Sequence, residues 1–397
     1  MKARHLALAY VGAAFISNIG THMQGFSEQW LVLLQAGPEA ARWAGRMSFA
    51  TGLGVALATP LGGWLADHAR RGRSLAWTQV GLASLALAMA FLAWKGRLGL
   101  LGLVGFALAG GTFGGLMIPL QLSLVGDLSE GHAGLFGLMQ VQWNLSRIVG
   151  PLVAATLFAL LGPAGNFLLN ALSFLPLVLF IAGRREAPPA PRPDAPAGYR
   201  EAWRALGSPA LAEVMGTAAL FGLFGWSLLI LAPVYGTRYL ALGERGVAGL
   251  FAAFGLGAVA SGLAVAAGRL GRDTARGLRL GLVAFALALL LVARPHPWLT
   301  PATLVLGGFG SGLAVTSLGT RVRQLAPPEL LGRINALYAL AIVGLSPLGT
   351  LAAGEAAHAL GWNGPRWVFA AQAVLLLLWR LRLGSPSGGD TAPSIPA

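Results

Sequence analysis

Apolar residues along this chain neither alternate nor keep to the narrow stripe of a soluble helix. They come in runs long enough to cover a helix on all sides, parted by short clusters rich in Arg, Gly and Pro. A helix needs about 20 such residues to cross the hydrocarbon of a bilayer. Twelve runs reach that length, at about 6–34, 44–66, 74–94, 98–124, 134–161 and 165–183, then 209–236, 246–268, 277–293, 299–320, 331–354 and 365–383. The pattern predicts an all-α integral membrane protein. Between the sixth and seventh runs, Arg184 to Ser208 holds Pro188, Pro189, Pro191, Pro193 and Pro196 among several charges. That composition cannot bury a core and predicts a flexible polar loop. The expected organisation is a six-helix bundle over 1–184, a cytoplasmic linker over 185–208, a second six-helix bundle over 209–384 and a disordered tail over 385–397.

Composition agrees with that reading. The chain is 56% hydrophobic and 11% charged, against about 25% charged in an ordinary soluble domain. A net charge of +14 would suit a nucleic-acid partner, but the basic residues sit between apolar runs rather than on one face, so no nucleic acid is expected. With twelve crossings both termini share a side. That side carries 19 of the 28 Lys and Arg residues, eight lie opposite, and Arg147 falls inside the fifth run. The excess predicts cytoplasmic termini. Lys2 and Arg4 precede a first run too long for a signal-peptide core, which reads as an uncleaved first span.

Several chemistries are excluded. Cysteine is absent, and the six histidines show no metal-ligand spacing, so no metal site is expected. "GLGAVA" (Gly255 to Ala260) and "GGFGSG" (Gly307 to Gly312) imitate nucleotide loops but lie within apolar runs, with no strand before them. No phosphate-binding loop is present, and neither a cofactor nor enzymatic chemistry is expected.

The polar residues inside the spans are the candidate chemistry. A guanidinium at the centre of a span costs roughly 2.5–3.5 kcal/mol on insertion scales, so Arg147 should face protein or water. Gln140, Trp143, Asn144 and Arg147 recur at spacings of three and four and share one helix face. In the first span Thr21, Gln24 and Glu28 form a similar stripe. An acid inside a span is a candidate proton carrier, exchanging a proton for substrate. Two other readings of Glu28 stand beside that one: an ion pair with Arg147, from which counting along the helices separates it by roughly 13 Å of depth, or a solvated place in the outer vestibule. Asn170, Trp226 and Tyr235 are further possible lining residues. Glu213 falls at an interface, and Glu355 and His358 fall near the outer end of the eleventh span, where solvent alone would satisfy them.

The two halves repeat. Gly52-Leu53-Gly54 in the second span returns as Gly255-Leu256-Gly257 in the eighth, and "RIVGP" at 147–151 is echoed by "AIVGLSP" at 341–347. Six plus six spans with an internal repeat is a transporter pattern, with the substrate site between the halves.

On these residues the chain resembles the major facilitator superfamily, and within it the bacterial exporter branch of the enterobactin exporter and drug-efflux proteins. "GGWLADHARRGR" (Gly62 to Arg73) resembles the family's loop after the second helix, with Gly63, Asp67, Arg71 and Arg73 at the matching positions and His68 where Arg is usual. The resemblance implies that Asp67, Arg71 and Asp127 form a conformational latch, with Gly63 permitting close helix approach. The second half has Leu270 where a matching acid would stand. In the fifth span, Gly137, Ser146, Gly150 and Pro151 follow the spacing of the exporters' small-residue motif, with Ser and Ala replacing some of its glycines. "NFLLNALSF" (Asn166 to Phe174) and the stretch Leu325 to Gly354 also look like this branch. The family often has Arg at the place of Arg147, and its pattern is apolar where Glu28 stands.

What the resemblance implies is a fold of two pseudo-symmetric six-helix bundles in a bacterial inner membrane. The implied function is proton-coupled export of a small amphipathic or apolar compound, drug-like or siderophore-like, by alternating access in a monomer. An importer, or a transporter-like protein that senses a ligand or scaffolds a partner, are the alternatives.

Overall fold

The protein is described from a computed structural model covering residues 2–128, 135–183, 199–268, 270, 273–327 and 330–382. Its described residues form helices and no strand. The first half contains α1 (Lys2–Ala36), α2 (Ala40–His68), α3 (Arg71–Trp94), α4 (Leu100–Leu128), α5 (Leu135–Ser173) and α6 (Leu175–Ala182). The second contains α7 (Tyr199–Ala205), α8 (Pro209–Gly225), α9 (Ser227–Leu240), α10 (Glu244–Ala266), α11 (Thr274–Val292), α12 (Leu299–Leu325), α13 (Leu331–Ala339), α14 (Ser346–Ala359) and α15 (Gly364–Arg382).

Nine segments of the described residues are long and apolar enough to cross a membrane. Two of them, His5–His68 and Val141–Ala182, contain a reversal and therefore cross twice. Both reversals use the same pair of residues. Gly37 (φ +50°) precedes Pro38, and Gly162 (φ +64°, ψ −173°) precedes Pro163. Glycine accepts the left-handed backbone, and proline starts the next helix because its missing N–H would have no partner there. α15, which falls short of that measure, is the twelfth crossing among the described residues.

Three sequence expectations need correction. The seventh span is not one helix, because it breaks at Trp226 between α8 and α9. There Ser227 Oγ donates to Phe224 O (2.8 Å), competing with the helix's own bonding. The eleventh span breaks too: α13 passes into a π-helical stretch, Leu340–Gly344, before α14. Pro347 lacks the N–H that would bond Val343, so the turn before it loosens. Finally, part of the expected polar loop is helical, at α7, with a turn over Leu206 to Ser208. Tyr199 to Ala205 carries no proline, whereas the proline-rich part lies outside the described residues.

Within each half, glycines let helices touch backbone to backbone, which substitutes for a hydrophobic driving force that lipid does not supply. A β-carbon on Gly54 would overlap Leu108 O on α4, and one on Gly257 would overlap Val305 O on α12. These are the second glycines of the repeated Gly-x-Gly. The first glycines face across the molecule. Gly52 packs on Pro347 of α14, and Gly255 packs on Ile148 of α5. The internal repeat is thus a pair of equivalent contacts, each half presenting its second span to the other half's fifth.

The connection around Arg70–Arg73 and the start of α11, with Arg276 and Arg279, lie at one end, called the basic end below. Contacts between the halves run from the opposite end to the middle. There Gly45 lies against Thr350 O and Gly354. Phe26 and Trp30 of α1, Ala154 and Ala155 of α5, and Val247 and Ala248 of α10 share one buried cluster.

Candidate functional site: the seam between the halves

Arg147 lies on α5, half-buried, and turns toward the second half. Its guanidinium sits 5.1 Å over the ring of Trp226, at the break between α8 and α9. A cation over an indole face is stabilised by about 2 kcal/mol when water is largely excluded. Asn144 and Arg147 line a void of about 30 Å³ with Leu229, Phe251, Phe254 and Gly255. That volume suits a water molecule or two, far below the roughly 300–1,000 Å³ of small-molecule sites. At this level the halves are in contact.

Trp143 turns to the first half, where the ring of His22 meets it edge-on at 5.1 Å. Gly150 makes that approach possible, since a β-carbon there would meet His22 Cβ at 2.6 Å and Met23 N at 3.1 Å. Ser146 is buried and donates to Trp143 O (2.8 Å), and Pro151 follows within the helix. These residues therefore pack α5 on α1. The surroundings of Gly137 and the side chain of Gln140 lie outside the described residues.

The stripe on α1 divides. Thr21 is exposed and donates only to Ser17 O one turn back (3.0 Å). Gln24 is the hub of a polar cluster: its Nε2 donates to Glu28 Oε1 (2.7 Å) and approaches the Met89 sulfur (3.4 Å), while Asn170 Nδ2 donates to its Oε1 (2.6 Å). Asn170 is 2% exposed. Among the described residues no ion pair joins Glu28 to Arg147. The helical depth difference separates them, and each has another partner.

Sequence reasoning missed a second polar layer nearer the basic end. Ser17 Oγ donates to Gln79 Oε1 (3.3 Å), and Asn18 Nδ2 donates to Gln142 Oε1 (3.0 Å), all four residues being buried. Amides inside apolar runs were the available signal, because each needs a partner in hydrocarbon.

At the basic end Arg71 Nη1 donates to both oxygens of Asp127 (2.5 and 2.7 Å), and its Nε donates to Ala66 O (2.8 Å). The end of α2 is thereby tied to the end of α4. Asp67 and Arg73 are exposed beside this pair. Gly63 does not do what was expected of it, since a β-carbon there would meet nothing within 4 Å. Gly62 makes the close approach instead, against Gly115 O and Leu116 of α4. One residue is about 100° of rotation on a helix, which turns Gly63 away from α4.

At the opposite end the structure adds an ion cluster that joins the halves. Arg42 Nε and Arg46 Nε, on α2, donate to the two oxygens of Glu355 on α14, each at 2.9 Å. Glu355, expected to be merely solvated, is thus a bridge between halves. His358 is half-buried one turn beyond it.

Residues 4–392 match the model of the transmembrane secretion effector family. The chain belongs to that family, within the major facilitator superfamily. No curated protein matches it. Solved structures agree in fold. It is similar to a bacterial homologue of the human lysosomal transporter Spinster, inward-facing and unoccupied (15% identity, 96% of this chain and 95% of that one, TM-score 0.73). It is similar also to the nucleoside transporter NupG (14%, 95% and 98%, 0.72). A bacterial homologue of the iron transporter ferroportin, inward-facing, matches likewise (15%, 95% and 98%, 0.71). The chain is a multi-pass secondary transporter rather than an enzyme.

Proposed function

We propose that this transporter exports a small amphipathic or apolar compound, drug-like or siderophore-like, in exchange for protons, with its basic end and both termini in the cytoplasm of a bacterial cell. On that orientation the state described here is closed outward. What carries the reading is the half-buried Glu28, set inside α1 against Gln24 and Asn170 with no ion pair among the described residues. An acid so placed is a residue that carries a proton through a membrane protein. The family's description as secretion effectors supports the outward direction. Arg147 supports a mechanism in which the two halves part, because it contacts the second half through Trp226, a contact that rocking would break and remake. The latch of Arg71, Asp127 and Asp67, with Arg73 beside it, serves the same cycle at the basic end.

The test is uptake into inverted proteoliposomes over a panel of amphipathic compounds, with and without an imposed pH gradient. Gradient-driven accumulation is expected for the wild type. Glu28→Gln is expected to keep substrate binding and lose the response to the gradient. A Glu28→Gln protein whose transport still follows the gradient would remove Glu28 from coupling.

A further inference from the structure

The lipid-facing surface of α3 carries a cleft outside the seam between the halves. Trp77, Val80, Leu87, Phe91 and Trp94 are all exposed along one face of this helix. Trp77 and Trp94 stand about 26 Å apart at ~1.5 Å per residue, close to a bilayer's hydrocarbon thickness, and tryptophans mark its two interfaces. Lys95, with its ammonium 4.2 Å from the Trp94 ring, fits the far interface. Trp77 therefore sets the headgroup level at the basic end.

At that level a cleft of about 370 Å³ opens between α3 and α6, lined by Arg70, Arg73, Ala76, Trp77, Val80, Ile181 and Ala182. Its chemistry is graded. Arg70 and Arg73 stand at the polar mouth, and the walls toward the hydrocarbon are apolar. Arg71, between them in sequence, turns away to Asp127 and Ala66. Guanidinium forks match phosphate oxygens, and a basic pocket between spans at an interface suits an anionic headgroup.

We propose that this cleft binds an anionic phospholipid of the leaflet at the basic end, the phosphate on Arg70 and Arg73 and the start of an acyl chain along Val80 and Ile181. A free anion would use the arginines but leave the apolar walls bare, so the lipid is the occupant that fits both parts.

Native mass spectrometry of the full chain in detergent tests this with phosphatidylglycerol, phosphatidylcholine and glycerol 3-phosphate as probes. Two arginines at an anionic surface predict a preference of about thirtyfold for phosphatidylglycerol over phosphatidylcholine. Arg70→Gln with Arg73→Gln should bring the two lipids near parity, while Arg200→Gln with Arg204→Gln, which removes the same charge elsewhere, should keep the preference. Ala76→Phe fills the cleft with both arginines intact and should lower retention several-fold, so the test does not hang on one variant's folding. Parity in the wild type, an undiminished preference in the Arg70/Arg73 variant, full retention in Ala76→Phe, or displacement of the lipid by equimolar glycerol 3-phosphate would each overturn the proposal.

Discussion

Replacing Glu355 by Gln removes both ion pairs that bridge the halves at the end opposite the basic one. The carboxylate accepts Arg42 Nε and Arg46 Nε at 2.9 Å each, with side chains 32–41% exposed. Pairs this exposed contribute about 0.2–1 kcal/mol each. Arg42 also stands 4.0 Å from Glu39, so it keeps an anionic neighbour when Glu355 is neutralised. The amide can still accept one hydrogen bond. The expected loss is therefore about 1 kcal/mol, a roughly fivefold shift toward the state open at that end. The chain has no cysteine, so cysteines introduced at the exposed Leu34 and Leu360 can carry spin labels on the two halves without background. Double electron–electron resonance in liposomes then reads the ratio of long to short distances directly. Glu355→Gln should raise that ratio about fivefold, and salt should shrink the difference between wild type and variant because exposed charges are screened within ~10 Å at 0.1 M. Glu355→Arg should exceed it, since three like charges then meet. An unchanged distance distribution in Glu355→Gln, or a shift indifferent to salt, would refute the role given to this cluster.

Other outcomes follow from the same contacts. Gly354→Val should favour the open state more strongly in the same measurement, by about 5- to 150-fold from an overpacking cost of ~1–3 kcal/mol, because a β-carbon there would meet Ala41 O at 2.6 Å and Gly45 Cα at 2.9 Å. Normal closure would show that the helices can part at no cost. Arg147→Ala loses the stack on Trp226 and should slow proteoliposome transport about two- to thirtyfold, while the protein still elutes as a folded species, given ~0.5–2 kcal/mol for a partly exposed cation–π contact. Wild-type rates would take Arg147 out of the cycle. Asp127→Asn should lower turnover several-fold with substrate affinity unchanged, and exchanging the charges (Arg71→Asp with Asp127→Arg) should restore part of it. A loss of affinity instead would place the pair at the substrate rather than at a latch.

Much of the fold is legible along the chain because a membrane penalises local choices one residue at a time. An unpaired backbone or a charge in hydrocarbon is costly wherever it occurs. Long apolar runs, Gly37-Pro38 and Gly162-Pro163 at reversals, and arginines crowded at one end are therefore visible without partners. The candidate site was less legible. Arg147 and Glu28 stand out as charges in apolar runs, but which residues answer them does not. Gln24 answers Glu28 from one turn away, whereas Asn170 reaches Gln24 from 146 residues along the chain and Trp226 meets Arg147 from the other half.

By itself the sequence determined the number of crossings, the basic end, the repeat and the places where charge must be shielded, since each follows from the free energy of one segment in lipid. Only the tertiary structure decided that Gly62 rather than Gly63 touches α4, that the first glycine of each repeat faces the opposite half, and that Glu355 joins Arg42 and Arg46. Those outcomes depend on the rotation of each helix about its axis and on how two bundles meet. A stretch of sequence carries neither, because a turn of ~100° per residue makes neighbouring positions face different partners.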